Sequence, residues 1–181
     1  MKKILTFAAV AVFVSFTIQA CAQGSPKDTP EQKLHRASLG SVMKQTINTG
    51  ATITITYSQP ALKGRTIGKD VEPMAGKVWR TGANEATSFE VSKDVTIEGK
   101  KLSAGKYGLY SIMNGNDWTI IINKTWDTWG AFSYKQSDDV LRVNVKSTKS
   151  CVYMERMVFT IDKMGKVSLL WGDTEVDFHV Q

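Results

Sequence analysis

Thr52-Ile53-Thr54-Ile55-Thr56-Tyr57 is the stretch whose reading decides the fold. Ile53, Ile55 and Tyr57 alternate with Thr52, Thr54 and Thr56, a period of two that places three large apolar groups on one face of an extended chain. Threonine leaves the other face polar while still favouring a pleated backbone. The segment predicts a half-buried strand with its turn chemistry at either end.

The same pattern recurs outward from it at short intervals. Residues 87–91, 95–98, 107–113, 118–123, 140–146, 152–161, 167–171 and 176–180 all suit strands, and Gly and Asx clusters separate them. Asn114-Gly115 is the sharpest turn signal, because both residues tolerate the positive φ of a tight hairpin. The arch from Leu102 to Tyr107 resembles the tyrosine corner of Greek-key sandwiches. Only residues 31–43 have any helical aspect, and no internal repeat is present. These features predict an all-β, single-domain antiparallel β-sandwich, Greek-key or jelly-roll-like, or a flattened barrel.

The chain has 181 residues and begins Met1-Lys2-Lys3, followed by an apolar run from Ile4 to Ile18. Residues 1–22 read as a bacterial export signal. Ala20-Cys21-Ala22 offers a small-x-small site that would release a soluble protein from Gln23. Ile18-Gln19-Ala20-Cys21 instead resembles a lipoprotein box, with the signal ending at 20 and Cys21 acylated, although Gln19 is unusual there. Both processing routes stay open, and both predict an exported protein: periplasmic, outer-membrane-associated or secreted. No later stretch approaches the ~20 apolar residues of a spanning helix. Residues 23–36 read as a polar, flexible arm, and 37–181 as the folded domain. Either processing route leaves Cys151 without a disulfide partner, so the domain must rely on its core, for which about 160 residues suffice. The formal charge of +6 falls to +4 without Lys2 and Lys3, and acids and bases are interspersed. No basic stripe or reader motif points to nucleic acid.

Several chemistries are disfavoured by residue supply. A nucleophile–histidine pair has only His35, in the arm, and His179, near the end of the sequence, to draw on. Two distant histidines and a lone Cys151 do not make a zinc site. Calcium needs no fixed motif, but Asp138-Asp139, the only adjacent acidic pair, more naturally opens the following strand. Gly64-Arg65-Thr66-Ile67-Gly68-Lys69 is one residue short of a phosphate loop and lacks its hydroxyl residue. Cys151 reads as a small apolar residue at a strand start, with a reactive thiol as the alternative. No catalytic residue, metal or cofactor is expected.

Two clusters remain as candidate sites. Trp79-Arg80-Thr81-Gly82-Ala83-Asn84-Glu85 crowds polar groups around a glycine. Its architectural reading has Trp79 plugging the end of the sandwich and an Arg80–Glu85 pair tying the loop. Its functional reading has Arg80, Asn84 and Glu85 facing a cleft for an anionic or polyhydroxylated ligand, with Lys63 and Arg65 adding positive charge. Trp126, Trp129, Phe132 and Tyr134 place four aromatics in nine residues. They either close the core or offer faces for stacking sugars.

Tyr57-Ser58-Gln59-Pro60-Ala61-Leu62-Lys63-Gly64-Arg65, the run from Gly76 to Thr87, the run from Leu102 to Tyr110 and Trp129-Gly130-Ala131-Phe132-Ser133-Tyr134 together resemble the bacterial family catalogued as domain of unknown function 2911. The resemblance spans about Ser38 to Val180. It implies a secreted or envelope-associated protein of the kind abundant in Bacteroidetes-like bacteria, and it implies no reaction. The expectation is a non-catalytic exported β-sandwich that binds a small polar or anionic ligand, a glycan or an envelope component. The alternatives are a carboxylate-dependent envelope hydrolase using Glu85, or a structural protein whose exposed strand edge near residues 176–180 pairs with a partner.

Overall fold

The computed structural model describes residues 37–181. The export signal, the acylation residue Cys21 and the arm at 23–36 lie outside the described residues. Ten strands follow in order: β1 (Leu39–Thr46), β2 (Thr52–Gln59), β3 (Val78–Trp79), β4 (Thr87–Val91), β5 (Val95–Ile97), β6 (Lys100–Leu102), β7 (Gly105–Asn114), β8 (Asp117–Asn123), β9 (Asp139–Ile161) and β10 (Lys166–His179). The main sheet runs β1-β2-β4-β7-β8-β9-β10, with β3 also paired to β7. Every pairing between these strands is antiparallel.

The sheet curls through β9. The first part of β9 pairs with β8, and its second part pairs with β10, carrying the chain over to face β2. There it meets the segment following β2: Met157 N donates to Pro60 O, Leu62 N donates to Glu155 O, and Phe159 N donates to the Tyr57 hydroxyl at 3.1 Å. Aromatic pairs bridge the two layers so formed. Trp79 stacks on Trp171 at 5.9 Å, Phe89 meets Phe178 at 6.1 Å, and Tyr57 meets Phe159 edge-on at 5.0 Å. The alternation read from the sequence supplies this core: Ile53, Ile55, Tyr57, Phe89, Val91, Leu109, Ile120 and Ile122 all point inward and are buried. Fully burying one such side chain contributes roughly 1.5–3 kcal/mol. The arch before β7 is a tyrosine corner, with the Tyr107 hydroxyl donating to Ser103 O at 3.0 Å.

Four expectations are corrected. Residues 39–43 are strand, not helix, because β1 pairs with β2 along its whole length, from Leu39 opposite Gln59 to Thr46 opposite Thr52. Gly40 also weakens any helix there. The segments read as separate strands at 140–146 and 152–161 are one long β9, with its change of partner in between. Cys151 therefore sits within that strand, and it is exposed rather than a packed apolar residue. The edge is covered over residues 179–181: Glu98 N donates to His179 O, Thr96 and Gln181 exchange backbone bonds, and Glu98 Oε1 accepts from His179 N at 2.7 Å. This removes the feature that favoured strand-edge assembly at that place.

Candidate functional site: a groove on the outer face

The outer face of the first layer is built differently from the inner one. Tyr110 and Ile121, outward on β7 and β8, are buried in a small second core with Ala86, and Val78, Ile112, Ala131 and Tyr134 pack against it. What covers them is the segment between β8 and β9, residues 124–138. This segment crosses β7 where Gly108 stands, and a Cβ on Gly108 would lie 2.3 Å from Thr125 O. The absence of a side chain there lets one backbone lie on another.

Both ends of the crossing segment are tied. Tyr110 OH donates to Thr125 O at 3.0 Å, and Thr125 N donates to Asn123 Oδ1 at 2.8 Å. At the far end Tyr134 OH donates to Asp139 Oδ2 at 2.9 Å, Arg142 Nε reaches the same oxygen at 2.6 Å, and Asn123 Nδ2 donates to Asp139 Oδ1 at 2.7 Å. Burial pushes the Tyr110 phenol up to about 12. The Tyr134 phenol is also raised, by burial first and then by its bond to Asp139. Charged carboxylate and guanidinium groups compensate each other here, so the network reads as an anchor.

The loop 80–87 fastens the middle of the crossing segment. Asn84, at φ 59°, accepts from Gly130 N, and Ala86 N donates to Thr128 O. Asn84 Nδ2 donates to Ser38 O at 3.1 Å, tying the start of β1. Thr87 Oγ1 donates to Thr81 O at 2.8 Å, and Thr81 Oγ1 donates to Ser111 Oγ at 3.0 Å. The loop therefore joins β1, β2, β7 and the crossing segment.

Between β1 and the crossing segment the outer face is left open as a groove of about 470 Å³. Its floor carries Gly40, Thr56, Ser58 and Ser88, neighbours across β1, β2 and β4 in the register Gly40↔Ser58 and Thr56↔Ser88. One wall is Trp126, Asp127 and Thr128, with Glu85 and Lys106 beside it, and Val42 stands on the other side. Lys106 Nζ lies 4.0 Å from the centroid of the Trp126 ring, a cation–π contact. Among the described residues, the groove lining carries two carboxylates and one ammonium, with no excess of positive charge.

The sequence-predicted residues are dispersed. Glu85 and Trp126 line the groove; Arg80, Asn84, Lys63 and Arg65 do not. Lys63, at φ 49°, and Arg65 shape the turn after β2: Lys63 N donates to Glu155 Oε1, and Arg65 donates to Leu62 O and Ala61 O at 2.9 and 2.7 Å. Trp79 is core. Trp129 is exposed and bridges Glu85 through the backbone, Phe132 is exposed, and Tyr134 belongs to the anchor. The carboxylate acting on Arg80 is that of Glu72, so the Arg80–Glu85 tie is replaced by the backbone bond from Thr87 N to Arg80 O. Sequence reasoning missed Thr56, Ser58, Ser88, Lys106, Asp127 and Thr128. The signal for the first three was present, since the polar face of the opening alternation is the groove floor.

The family model described as "Protein of unknown function (DUF2911)" matches residues 38–180. The chain belongs to this family. No curated protein and no solved structure matches it. The DUF2911 match covers both the loop 80–87 and the groove. Among the described residues, no group of three or more His, Cys, Asp or Glu side chains is placed to hold a metal ion, and no helix is long and apolar enough to cross a membrane.

Proposed function

We propose that this DUF2911 protein is a non-catalytic, exported binding protein that takes a polyhydroxylated ligand, a short glycan of the cell envelope, in the outer-face groove. The observation that carries the reading is the floor of small hydroxyl residues, Thr56, Ser58 and Ser88, beneath the aromatic wall of Trp126. Hydroxyl groups both donate and accept, matching the hydroxyls of a sugar, while an indole packs against its apolar ring face. The groove's volume falls within the range of small-molecule sites, roughly 300–1,000 Å³. Its mixed charge favours a neutral polyol over the anion expected from Arg80, Lys63 and Arg65. Export rests on the leader at residues 1–22, and lipid attachment on Cys21 remains the alternative to soluble release.

A glycan array probed with the mature chain, followed by calorimetry on any ligand found, tests the reading. Trp126→Ala is expected to weaken binding about ten-fold or more, a loss of ~1.4 kcal/mol, while leaving the melting temperature near wild type. Absence of saturable binding across the array, or unchanged affinity in Trp126→Ala, counts against it.

A second reading, glycoside hydrolysis, draws on one observation: Glu85 and Asp127 line the same groove. Such chemistry uses two carboxyl groups about 5–10 Å apart. Turnover of a bound glycan that survives in Glu85→Gln would remove it.

A further inference from the structure

The two ends of the main sheet are finished differently. At one end, β10 shifts register on both sides of Gly172, carries Asp173, Glu175 and Asp177, and accepts a backbone bond at His179 from Glu98. Bulges, charges and covering segments are the devices by which a sheet edge refuses a further strand. At the other end, β1 has none of them. Its 8 residues pair with β2 without a register shift, include no proline and carry one charge, that of Lys44. Alternate residues of β1 turn their N–H and C=O groups toward β2, so the others turn theirs outward. Among the described residues, no backbone group bonds to β1 from that side.

The side chains of β1 fit a second β1 laid antiparallel beside it. Gly40, Val42 and Lys44 share the outer face, opposite Ser58, Thr56 and Thr54 of β2. A two-fold axis through Val42 sets Val42 against the partner's Val42, Lys44 against the partner's Gly40, and Ser41 against the partner's Met43. Val42 is 62% exposed in the single chain, and the two valines would cover each other at the axis. The two ammonium groups stand apart, whereas an axis through Lys44 would oppose them. Room for the lysine exists, since a Cβ on Gly40 would meet nothing within 4 Å.

We infer that β1 is a self-association edge, through which two copies of the chain join about a two-fold axis at Val42 and continue one sheet into the other. The occupant is a second copy because the exposed valine and the single charge of this strand are both accommodated by the same strand reversed. Gly40, Ser41 and Val42 also line the groove, so the pairing sets two grooves side by side and brings the partner's Lys44 next to Gly40 in each. The pairing does not rest on the glycan reading.

Sedimentation velocity of the chain from Gln23 onward, over a micromolar concentration series, tests this. A reducing agent keeps the exposed Cys151 from cross-linking. Wild type is expected to pass from monomer to dimer as concentration rises. Val42→Glu and Val42→Lys each place like charges face to face at the axis, and each should weaken self-association about ten-fold or more. Both should keep the wild-type circular dichroism, because position 42 is exposed. An equimolar mixture of the two variants should dimerise again, since opposite charges then meet. A wild type that stays monomeric overturns the inference and leaves the edge to the arm or to a strand of another protein. A dimer that persists in both variants overturns it by placing the contact elsewhere. A mixture that stays monomeric overturns it by showing that position 42 does not face its own copy, and loss of fold in either variant by making Val42 a structural residue.

Discussion

On β2, the inward residues Ile53, Ile55 and Tyr57 are sealed into the core, whereas outward Thr56 and Ser58 floor a groove. On β7, inward Leu109 joins the same core, while outward Tyr110 is buried just as fully beneath residues 124–138. One sheet thus carries a single continuous core on its inner face and, on its outer face, a small covered core beside an open strip. The difference lies in what does the covering. The inner face is closed by long strands bound through regular backbone pairing, and the outer face by one irregular segment held at a few side-chain anchors. Regular pairing leaves no gaps for ligands, whereas a segment that crosses at one place leaves the neighbouring surface open.

The sharpest break in this comparison comes from the inner face. Trp171 is fully buried and stacks on Trp79, bridging the two layers. Trp171→Ala is expected to destabilise the fold by about 3–5 kcal/mol, through lost transfer energy and the cavity left behind. Chemical denaturation monitored by circular dichroism checks it. A loss near 1 kcal/mol would mean that the inner face is not the dominant core.

The same contrast governs how much was legible in the sequence. The inner face writes itself as strict alternation, so Ile53, Ile55 and Tyr57 identify both a strand and its buried side from local order alone. β1 escaped this reading because its side chains are half exposed or exposed, with Val42 at 62%, and its strand state is imposed by β2. The bend in β9 was likewise illegible, since a change of partner leaves no local pattern. For the site, Glu85 and Trp126 were found because unusual residues stand out. Thr56, Ser58 and Ser88 were not, because serine and threonine on a polar strand face look like ordinary solvated surface until a distant segment walls them in. Asp127 and Lys106 join Glu85 only through the crossing of β7 at Gly108, a contact that no spacing rule encodes.

A second prediction sharpens the comparison from the outer side. The Tyr110 phenol, buried in the covered core, has its pKa raised by burial from 10.0 to about 12. A raised folded-state value means that the folded protein holds this proton more tightly than the unfolded chain. The associated stability is present in full below about pH 10 and is lost as pH climbs through about 12, on the order of 2–3 kcal/mol. Denaturation midpoints measured at pH 9 to 12 should fall for wild type, and the fall should be shallower in Tyr110→Phe, which has no proton to lose. Equal slopes in both proteins would mean that the outer core does not hold Tyr110 away from water.

The smallest effect on stability should accompany the most specific effect on the groove. Gly108 lies within β7 and is absent from the positive-φ glycines, so space rather than backbone conformation demands it. Gly108→Ala would press a methyl group against Thr125 O and against Tyr110 Cε2, at 2.3 and 2.6 Å in the present arrangement. Since the first of these is backbone, the crossing segment must lift, at a cost of about 1–3 kcal/mol typical of overpacking. The inner core touches neither atom and should stay intact, leaving the β-sheet circular dichroism unchanged. Lifting Thr125 carries Trp126 and Asp127 with it and opens the wall of the groove. The expected signature is a stable fold with increased acrylamide quenching of tryptophan fluorescence, a change that Trp126→Ala in the same background should largely remove. Unchanged quenching in Gly108→Ala would show that the outer segment is held by its end anchors alone, and that its contact over Gly108 does not set the shape of the groove.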